Sequence, residues 1–161
     1  MNESASNNQR TSTDDLPNRG RLLGIDYGTV RVGVAVSDML QSLSSPLHNY
    51  QRVSRKADEQ FFCQQVSEYE VTGIVVGLPL HMNGDESDKS HEARRYGKWL
   101  TSVTDLPVAY QDERLSSVQA GNLLHSAGMN TKQSKARIDK LAAQIILQTW
   151  LDRRTNSIDS P

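Results

Sequence analysis

The sequence predicts an α/β domain with a mixed five-stranded sheet and helices on both of its faces. Two features of the chain favour this class: the first three strand-like segments begin with a hairpin, and the later strands alternate with helices. A hairpin pairs its strands antiparallel, whereas a crossover through a helix pairs them parallel, so the sheet must contain both arrangements. A chain of 161 residues has room for one such domain with a sizeable core.

The first predicted element is a hairpin over residues 21–38. An apolar strand ends on Asp26, a tight turn centred on Gly28 follows, and a second strand over Arg31 to Ser37 runs back antiparallel. Gly28 can adopt a positive φ that a side chain would resist, and the β-branched residues on either side favour extended backbone. The hairpin therefore presents the Asp26 carboxylate at the end of the first strand.

The remaining elements follow from apolar periodicity and from turn and cap signals. The strands cover Leu43 to Arg52, Thr72 to Leu80 and Pro107 to Tyr110; Pro46 places the first of them at or near a sheet edge, and the second is buried. The helices between and after them contain Phe61 to Tyr69, then Ala93, Tyr96, Trp99 and Leu100 on an inner face, then Ser117 to Ala127. A last helix carries an apolar stripe of Ile138, Leu141, Ala142, Ile145 and Thr149. Ser134 is the expected N-cap of that last helix. This order matches the ribonuclease H-like fold.

One domain is expected, flanked by two segments outside it. Residues 1–20 have almost nothing apolar to bury, which predicts a disordered tail, while residues 21–155 form the domain and residues 156–161 a flexible C-terminus. No apolar run is long enough to span a membrane. The single Cys63 cannot form an internal disulfide, and the first residues lack the features of a secretory signal, which favours the cytoplasm.

Acidic residues stand where several predicted elements end or face inward. Asp26 closes the first strand, Asp112 and Glu113 close the last strand, and Asp139 lies in the first turns of the final helix, three and four residues before alanines of its inner face. If these positions converge, a cation has to offset their mutual repulsion, and hard oxygen ligands suit Mg²⁺ or Mn²⁺. Such ions could assist phosphodiester hydrolysis. The alternative is that Asp26 and Asp112 only shape turns and that Glu113 pairs with Arg114.

Basic residues lie beside these acids. The net charge of −1 gives no global signal of nucleic-acid binding, so contact with a polyanion must come from local patches. The candidates are Lys132, Lys135, Arg137 and Lys140 around the start of the last helix, together with Arg31 and Arg114. Such groups can hold a phosphate backbone without reading bases, although a solvated helix face has the same composition.

Four segments resemble the signature blocks of the YqgF family, also called RuvX. They are GIDYGTVRVGVAVSD, VVGLPLHMNGDES, LPVAYQDERLSS and RIDKLAAQIILQTWLD, which occur in the family's order over roughly residues 21 to 152. The resemblance implies a ribonuclease H-like fold related to the RuvC resolvases, and a bacterial cytoplasmic nuclease for the 5′ end of pre-16S ribosomal RNA.

The resemblance also implies site residues. The family's acids fall on Asp26, Glu113 and Asp139, which would bind the metal and carry the catalysis, with Asp112 as a secondary metal ligand. In RuvC-like enzymes the second acid follows a more central strand, which here ends in Leu78-Pro79-Leu80 without an acid. The role of Glu113 therefore requires that a neighbouring strand supply the ligand.

Three other functions remain open from the sequence. A four-way DNA junction is an alternative substrate to structured RNA, and would need a homodimer rather than a monomer. A non-catalytic RNA-binding assembly factor would retain the fold without turnover. The segment GIDYGT also resembles the phosphate-binding hairpin of actin-like ATPases and sugar kinases, but those enzymes use two such domains and this chain has length for one.

Overall fold

A mixed five-stranded sheet forms the centre of the structure, a computed structural model that describes residues 15–114 and 131–158, without the side chains of residues 131–139 and 156–158. The strands are β1 (Arg21–Asp26), β2 (Arg31–Ser37), β3 (Ser44–Gln51), β4 (Val71–Leu78) and β5 (Val108–Asp112), and the helices are α1 (Arg55–Tyr69), α2 (Asp88–Thr104) and α3 (Thr131–Ile158). The strand order is β3-β2-β1-β4-β5. β2 is antiparallel to β1 and β3, whereas β4 is parallel to β1 and β5.

Helices cover both faces of this sheet, which confirms the predicted fold class. Alternate residues of β1 point to opposite faces: Leu23 and Ile25 join one core with Phe62 of α1 and residues of α2. Leu22 joins a second core with residues of α3, including Trp150. Each fully buried side chain of this kind contributes about 1.5–3 kcal/mol on transfer from water, so the two cores fix α1 and α2 on one face and α3 on the other.

The first hairpin forms as predicted, but its glycine acts differently. Among the described residues the glycines with positive φ are Gly20 and Gly84, so the positive φ expected at Gly28 is wrong. A Cβ at Gly28 would instead collide with the carbonyl oxygen of Arg31. Glycine is needed there because the backbone of the turn closes directly onto the start of β2.

The predicted edge strand is confirmed at β3. Pro46 pairs with Ala35 at a position where the register of β2 and β3 shifts, which accommodates a residue that cannot donate to the ladder. α3 crosses this edge, where Ser44 N–H donates to Gln148 Oε1 at 2.9 Å and Gln144 Nε2 donates to Ser44 O at 3.2 Å. These bonds attach the last helix to the first half of the chain.

α3 differs from its prediction in two ways. It begins at Thr131, so Ser134 lies inside the helix and is not its N-cap. Its buried residues are Ala143, Ile146, Leu147, Trp150 and Leu151, whereas the predicted stripe through Leu141, Ala142 and Ile145 is only half-buried. The helix is apolar on two adjacent sides, and the side that carries Trp150 packs against the sheet.

The chain enters the fold before residue 21. Leu16, placed in the tail by the sequence analysis, is 4% exposed and belongs to the core under α3. Arg154 Nη1 donates to Pro17 O at 3.0 Å and to Gln41 Oε1 at 3.0 Å, which fixes this segment against the helix. The predicted helix over Ser117 to Ala127 lies outside the described residues. Within the described ranges, no helix combines the length and hydropathy needed to cross a membrane.

Candidate active site

The carboxyl groups of Asp26 and Glu113 meet at the end of the sheet where the parallel strands β1, β4 and β5 terminate. Asp26 is the last residue of β1, and Glu113 immediately follows β5. Both strands run parallel to β4, which lies between them, so the C-terminal ends of all three strands lie at the same end of the sheet. The backbone N–H of Glu113 donates to Leu78 O at 3.1 Å, which holds the residue against the end of β4.

Gly77 provides the space through which Glu113 reaches Asp26. Strands two positions apart in a sheet are separated by about 10 Å, so a side chain from β5 has to pass over β4 to contact β1. A Cβ at Gly77 would lie 2.7 Å from Glu113 Cδ and 2.6 Å from Ile146 Cδ1. The Glu113 side chain therefore occupies the surface of the central strand at position 77, between the sheet and α3.

This contact changes the protonation of Glu113. Burial raises the pKa of its carboxyl to about 9, and the negative charge of Asp26 and a hydrogen bond to it act in the same direction, with a smaller effect of the Asp112 charge. The Glu113 carboxyl is consequently protonated near neutral pH and donates to the Asp26 carboxylate. Two acids that share a proton in this way form a site where a bound cation can replace that proton.

Asp112 has a different environment from Glu113, although the two residues are adjacent. The Asp112 carboxylate accepts hydrogen bonds from the backbone N–H of Arg114 at 2.9 Å and from its Nε at 2.7 Å, and the ion pair closes at 2.5 Å to Nη2. The bond from the Arg114 side chain holds the pKa of Asp112 below its usual range. Asp112 thus shapes the turn after β5, as the sequence alternative proposed, and it also forms the pair with Arg114 that this alternative gave to Glu113.

The backbone of α3 carries residue 139 to the same end of the sheet. Arg154 contacts the segment before β1, and Leu147 Cβ lies 2.7 Å from where a Cβ of Gly24 would stand, so α3 runs antiparallel to β1. Ala143 O also approaches Gly24, at 2.9 Å from that position. Residue 139 is one turn of about 6 Å beyond Ala143, and Asp26 is two residues, about 7 Å, beyond Gly24. The side chain of Asp139 is outside the described set.

The predicted phosphate contacts are placed unevenly around these acids. Arg114 is engaged with Asp112, and its Nη1 also donates to Met82 O at 3.1 Å. Arg31 is exposed at the start of β2, and Lys140 is exposed on α3. The side chains of Lys132, Lys135 and Arg137 are not described. Among the described side chains of the predicted phosphate contacts, Arg31 and Lys140 are therefore the exposed cations.

Oxygen donors dominate the site. Among the described side chains there is no group of three or more His, Cys, Asp or Glu residues able to hold a metal, so the described donors are the Asp26–Glu113 pair. Carboxylate oxygens are the ligands that a hard divalent ion such as Mg²⁺ or Mn²⁺ prefers. In the absence of a cation, one of the two carboxyl groups holds a proton. Thiol and imidazole ligands, which softer metals prefer, are not part of this pair.

Two residues that position the site were not identified from the sequence. Gly77 lies within the predicted buried strand over Thr72 to Leu80 and was assigned no role there, because its clearance for Glu113 depends on tertiary packing. Arg52 was assigned no role, yet its Nη1 donates to Thr29 O at 3.3 Å and to Gly28 O at 3.4 Å, and so holds the turn after Asp26. The only sequence signal for Arg52 was its place at the end of the predicted third strand.

Comparison with known proteins identifies the chain's relatives. The family model for RuvX, described as Holliday junction resolvase, matches residues 20–153. The chain belongs to the RuvX family. RuvX is the alternative name of YqgF, so the resemblance seen in the four signature blocks is confirmed.

Curated RuvX relatives extend over most of the chain. A protein of Rhodopirellula baltica named "Putative pre-16S rRNA nuclease" is 39% identical over 142 residues, which cover 88% of this chain and 82% of the relative. A protein of Lactococcus lactis subsp. cremoris with the same name is 44% identical over 135 residues, which cover 82% and 94%. Among solved structures, T. thermophilus RuvC in complex with Holliday junction substrate matches with 13% identity and a TM-score of 0.47, over 84% of this chain and 96% of that chain.

Proposed function

We propose that this RuvX-family chain is a metal-dependent nuclease that hydrolyses phosphodiester bonds during maturation of the 5′ end of pre-16S ribosomal RNA, with Mg²⁺ or Mn²⁺ as cofactor. The observation that carries the proposal is the half-buried hydrogen-bonded contact between Asp26 and Glu113, two acids at the ends of different strands. The names of the curated relatives support the RNA substrate. We expect the protein to act in the cytoplasm, where it would meet such a substrate.

Asp26, Glu113 and Asp139 would hold the cofactor. The described pair supplies two carboxylates, and the path of α3 brings residue 139 toward the same end of the sheet. When bound, a divalent cation supplies charge neutralisation at the phosphate and lowers the pKa of the attacking water. Glu113 gives up its proton on loading, because a carboxylate has to be deprotonated to act as a ligand.

The basic residues would hold the RNA backbone on either side of these acids. Arg31 and Lys140 are exposed and are available to phosphates. Arg114 stays paired with Asp112 in the described state and would reach a phosphate only by sharing its guanidinium. Contacts of this kind position a strand without reading its bases, so the shape of the precursor end would determine where cleavage occurs.

Cleavage of a 5′-extended precursor of 16S ribosomal RNA in Mg²⁺ tests this proposal. We expect the wild-type chain to cleave it and Asp26→Asn to be slower by roughly a hundredfold or more, because a metal ligand stabilises the transition state by several kcal/mol. Asp152→Asn is the matched control, since Asp152 is exposed on α3. Undiminished cleavage by Asp26→Asn would contradict the mechanism. Cleavage of a four-way DNA junction in preference to the RNA would contradict the substrate.

A further inference from the structure

A polar cleft of about 710 Å³ opens beside the turn that follows Asp26. It lies between that turn, the beginning of α1 and the middle of α2, with Tyr27, Arg55 and Arg95 among its lining residues. Asp26 and Tyr27 are consecutive in an extended segment, so their side chains point to opposite faces of the sheet. The cleft is therefore separate from the acids but begins one residue away from them. We call it the Tyr27 cleft.

The floor of the Tyr27 cleft contains a buried hydroxyl without a partner. Tyr96 is 6% exposed, and its OH forms no hydrogen bond with any of the described residues. Its ring is held from three sides, by Tyr27 at 4.8 Å, Trp99 at 5.2 Å and Phe62 at 6.2 Å between ring centroids. Buried hydroxyls are nearly always hydrogen-bonded, so Tyr96 leaves an unsatisfied polar group beneath the floor of the cleft.

The arginines of the cleft are divided between structural and available groups. Arg52 is engaged: it lies over the rings of Tyr27 and Tyr96 at 5.5 and 5.4 Å and forms an ion pair with Asp58 at 3.6 Å. Arg55 and Arg95 are exposed, and neither forms a hydrogen bond or an ion pair with another described residue. The guanidinium groups of Arg55 and Arg95 thus have no partner among the described residues, and each can bind an anion bidentately.

The acidic residues of the cleft do not cancel this charge. The Asp58 carboxylate accepts from Tyr50 OH at 2.7 Å and from the Val53 N–H at 3.1 Å, in addition to its pairing with Arg52. Glu92 is the second acid in the lining, which leaves one net positive charge from three arginines and two carboxylates. Repulsion of a phosphate would therefore come from Glu92 alone.

Aromatic surface completes the cleft. Tyr27 and Trp99 are half-buried and both line it, so part of each ring is open to a planar ligand. Rings beside guanidinium groups are the combination that binds single-stranded nucleic acid, since every base has a face that stacks and every nucleotide carries a phosphate. An acidic peptide would use the arginines but leave the rings uncovered.

We propose that the Tyr27 cleft binds a single-stranded stretch of the RNA next to the bond that is cut, with Arg55 and Arg95 on phosphate and Tyr27 and Trp99 against a base. This inference rests on the proposed nuclease function for the identity of its ligand. It adds a substrate requirement: the strand that crosses the acids of β1 continues unpaired over the turn at Gly28 and onto the other side of the sheet.

Binding of a short unstructured RNA tests the proposal. The probe is a fluorescein-labelled twelve-nucleotide oligouridine, and the protein is the full chain carrying Asp26→Asn, so that binding is measured without cleavage. We expect Arg55→Gln with Arg95→Gln to weaken binding by roughly tenfold in fluorescence anisotropy. Lys98→Gln is the matched control, because Lys98 is exposed on α2 and does not line the cleft; it should change the affinity by less than about twofold.

Tryptophan emission gives a second readout that depends on the location of the RNA. The chain has two tryptophans, and Trp150 is 2% exposed under α3, so the quenchable emission comes from Trp99. We expect oligouridine to quench it and a blunt RNA duplex of equal length to leave it unchanged. Tyr96→Phe, which removes only a hydroxyl that is inaccessible from the cleft, should change the affinity by less than about twofold while circular dichroism shows the same fold.

Three results would overturn the cleft proposal: equal affinity of the double arginine variant and its parent, no quenching of Trp99 by oligouridine, or tighter binding of uridine monophosphate than of the oligomer. The last result would make the cleft a site for free nucleotides. None of these depends on turnover, whereas the nuclease proposal fails on the cleavage assay with Asp26→Asn. The two failures are therefore distinguishable.

Discussion

The carboxyl group of Glu113 lies over Gly77, where a side chain on the central strand β4 would otherwise stand. This relationship explains how an acid that follows β5 can meet Asp26, which is two strands away. The long glutamate side chain covers the distance, and the glycine leaves the path open. The second acid of the pair thus occupies the central strand's surface although the central strand contains no acid at its own end.

Gly77→Ala should disable the site at a modest cost in stability. The added methyl group would lie 2.6 Å from Ile146 Cδ1 and 2.7 Å from Glu113 Cδ, so Glu113 must move away from Asp26. We expect RNA cleavage to fall at least tenfold and the free energy of unfolding to fall by about 1–3 kcal/mol.

Gly73→Ala, in the same strand, is its control. A Cβ there meets only the methyl ends of Leu22 and Leu16, at 3.1 and 3.2 Å, which can yield. Its cleavage rate should stay near the wild-type rate. Equal loss of cleavage in both variants would contradict the specific role of Gly77.

The metal-free protein should lose stability as the pH rises. Glu113 has a folded-state pKa of about 9 against an ordinary value of 4.5, so folding takes up a proton between these values. The free energy of unfolding therefore falls across that window and levels off above it. Urea unfolding in the presence of a chelator at pH 5.5 and pH 9 measures the slope. Glu113→Gln should flatten it, whereas Glu59→Gln, on the exposed side of α1, should leave it unchanged.

Asp112 and Glu113 should respond differently to conservative substitution. Asp112→Asn weakens a partly exposed pair with Arg114, which we expect to cost less than about 1 kcal/mol of stability and less than tenfold in cleavage rate. Glu113→Asp keeps the carboxyl group but is one methylene too short to cross β4, so cleavage should fall by roughly a hundredfold. A larger loss for Asp112→Asn than for Glu113→Asp would transfer the ligand role to Asp112.

The N-terminal boundary of the domain can be tested at Leu16. Its side chain is buried beneath α3 beside Trp150, so Leu16→Ala should lower the free energy of unfolding by about 2 kcal/mol or more. Leu40→Ala is a matched control, since Leu40 is 71% exposed. Similar chemical denaturation midpoints for both variants would show that the segment before β1 contributes nothing to the core.

The sequence predicted the layers of this fold because its strongest signals are local. Val71–Leu78 is apolar apart from Thr72 and is buried on both faces, and Ala93, Tyr96 and Leu100 recur at helical spacing and are all buried. Patterns of this kind depend on a single element and its burial, which the residue order alone specifies.

The sequence did not determine features that depend on two elements at once. α3 has apolar residues on adjacent sides, and only the packing of Leu147 against Gly24 selects the buried one. Gly28 was expected to provide a positive φ and instead accommodates the carbonyl of Arg31. Asp58 is 4% exposed although it is an acidic residue. Tyr50 of β3 donates a hydrogen bond to its carboxyl group, and Arg52, just after β3, forms an ion pair with it.

We propose that Asp26, Glu113 and Asp139 together hold one divalent cation. A crystal structure with Mn²⁺, analysed by its anomalous signal, tests this most directly. We predict a manganese peak within about 2.2 Å of a carboxylate oxygen from each of the three residues. A peak that contacts only one of them, or that lies elsewhere while Asp26 and Glu113 remain hydrogen-bonded to each other, would contradict it.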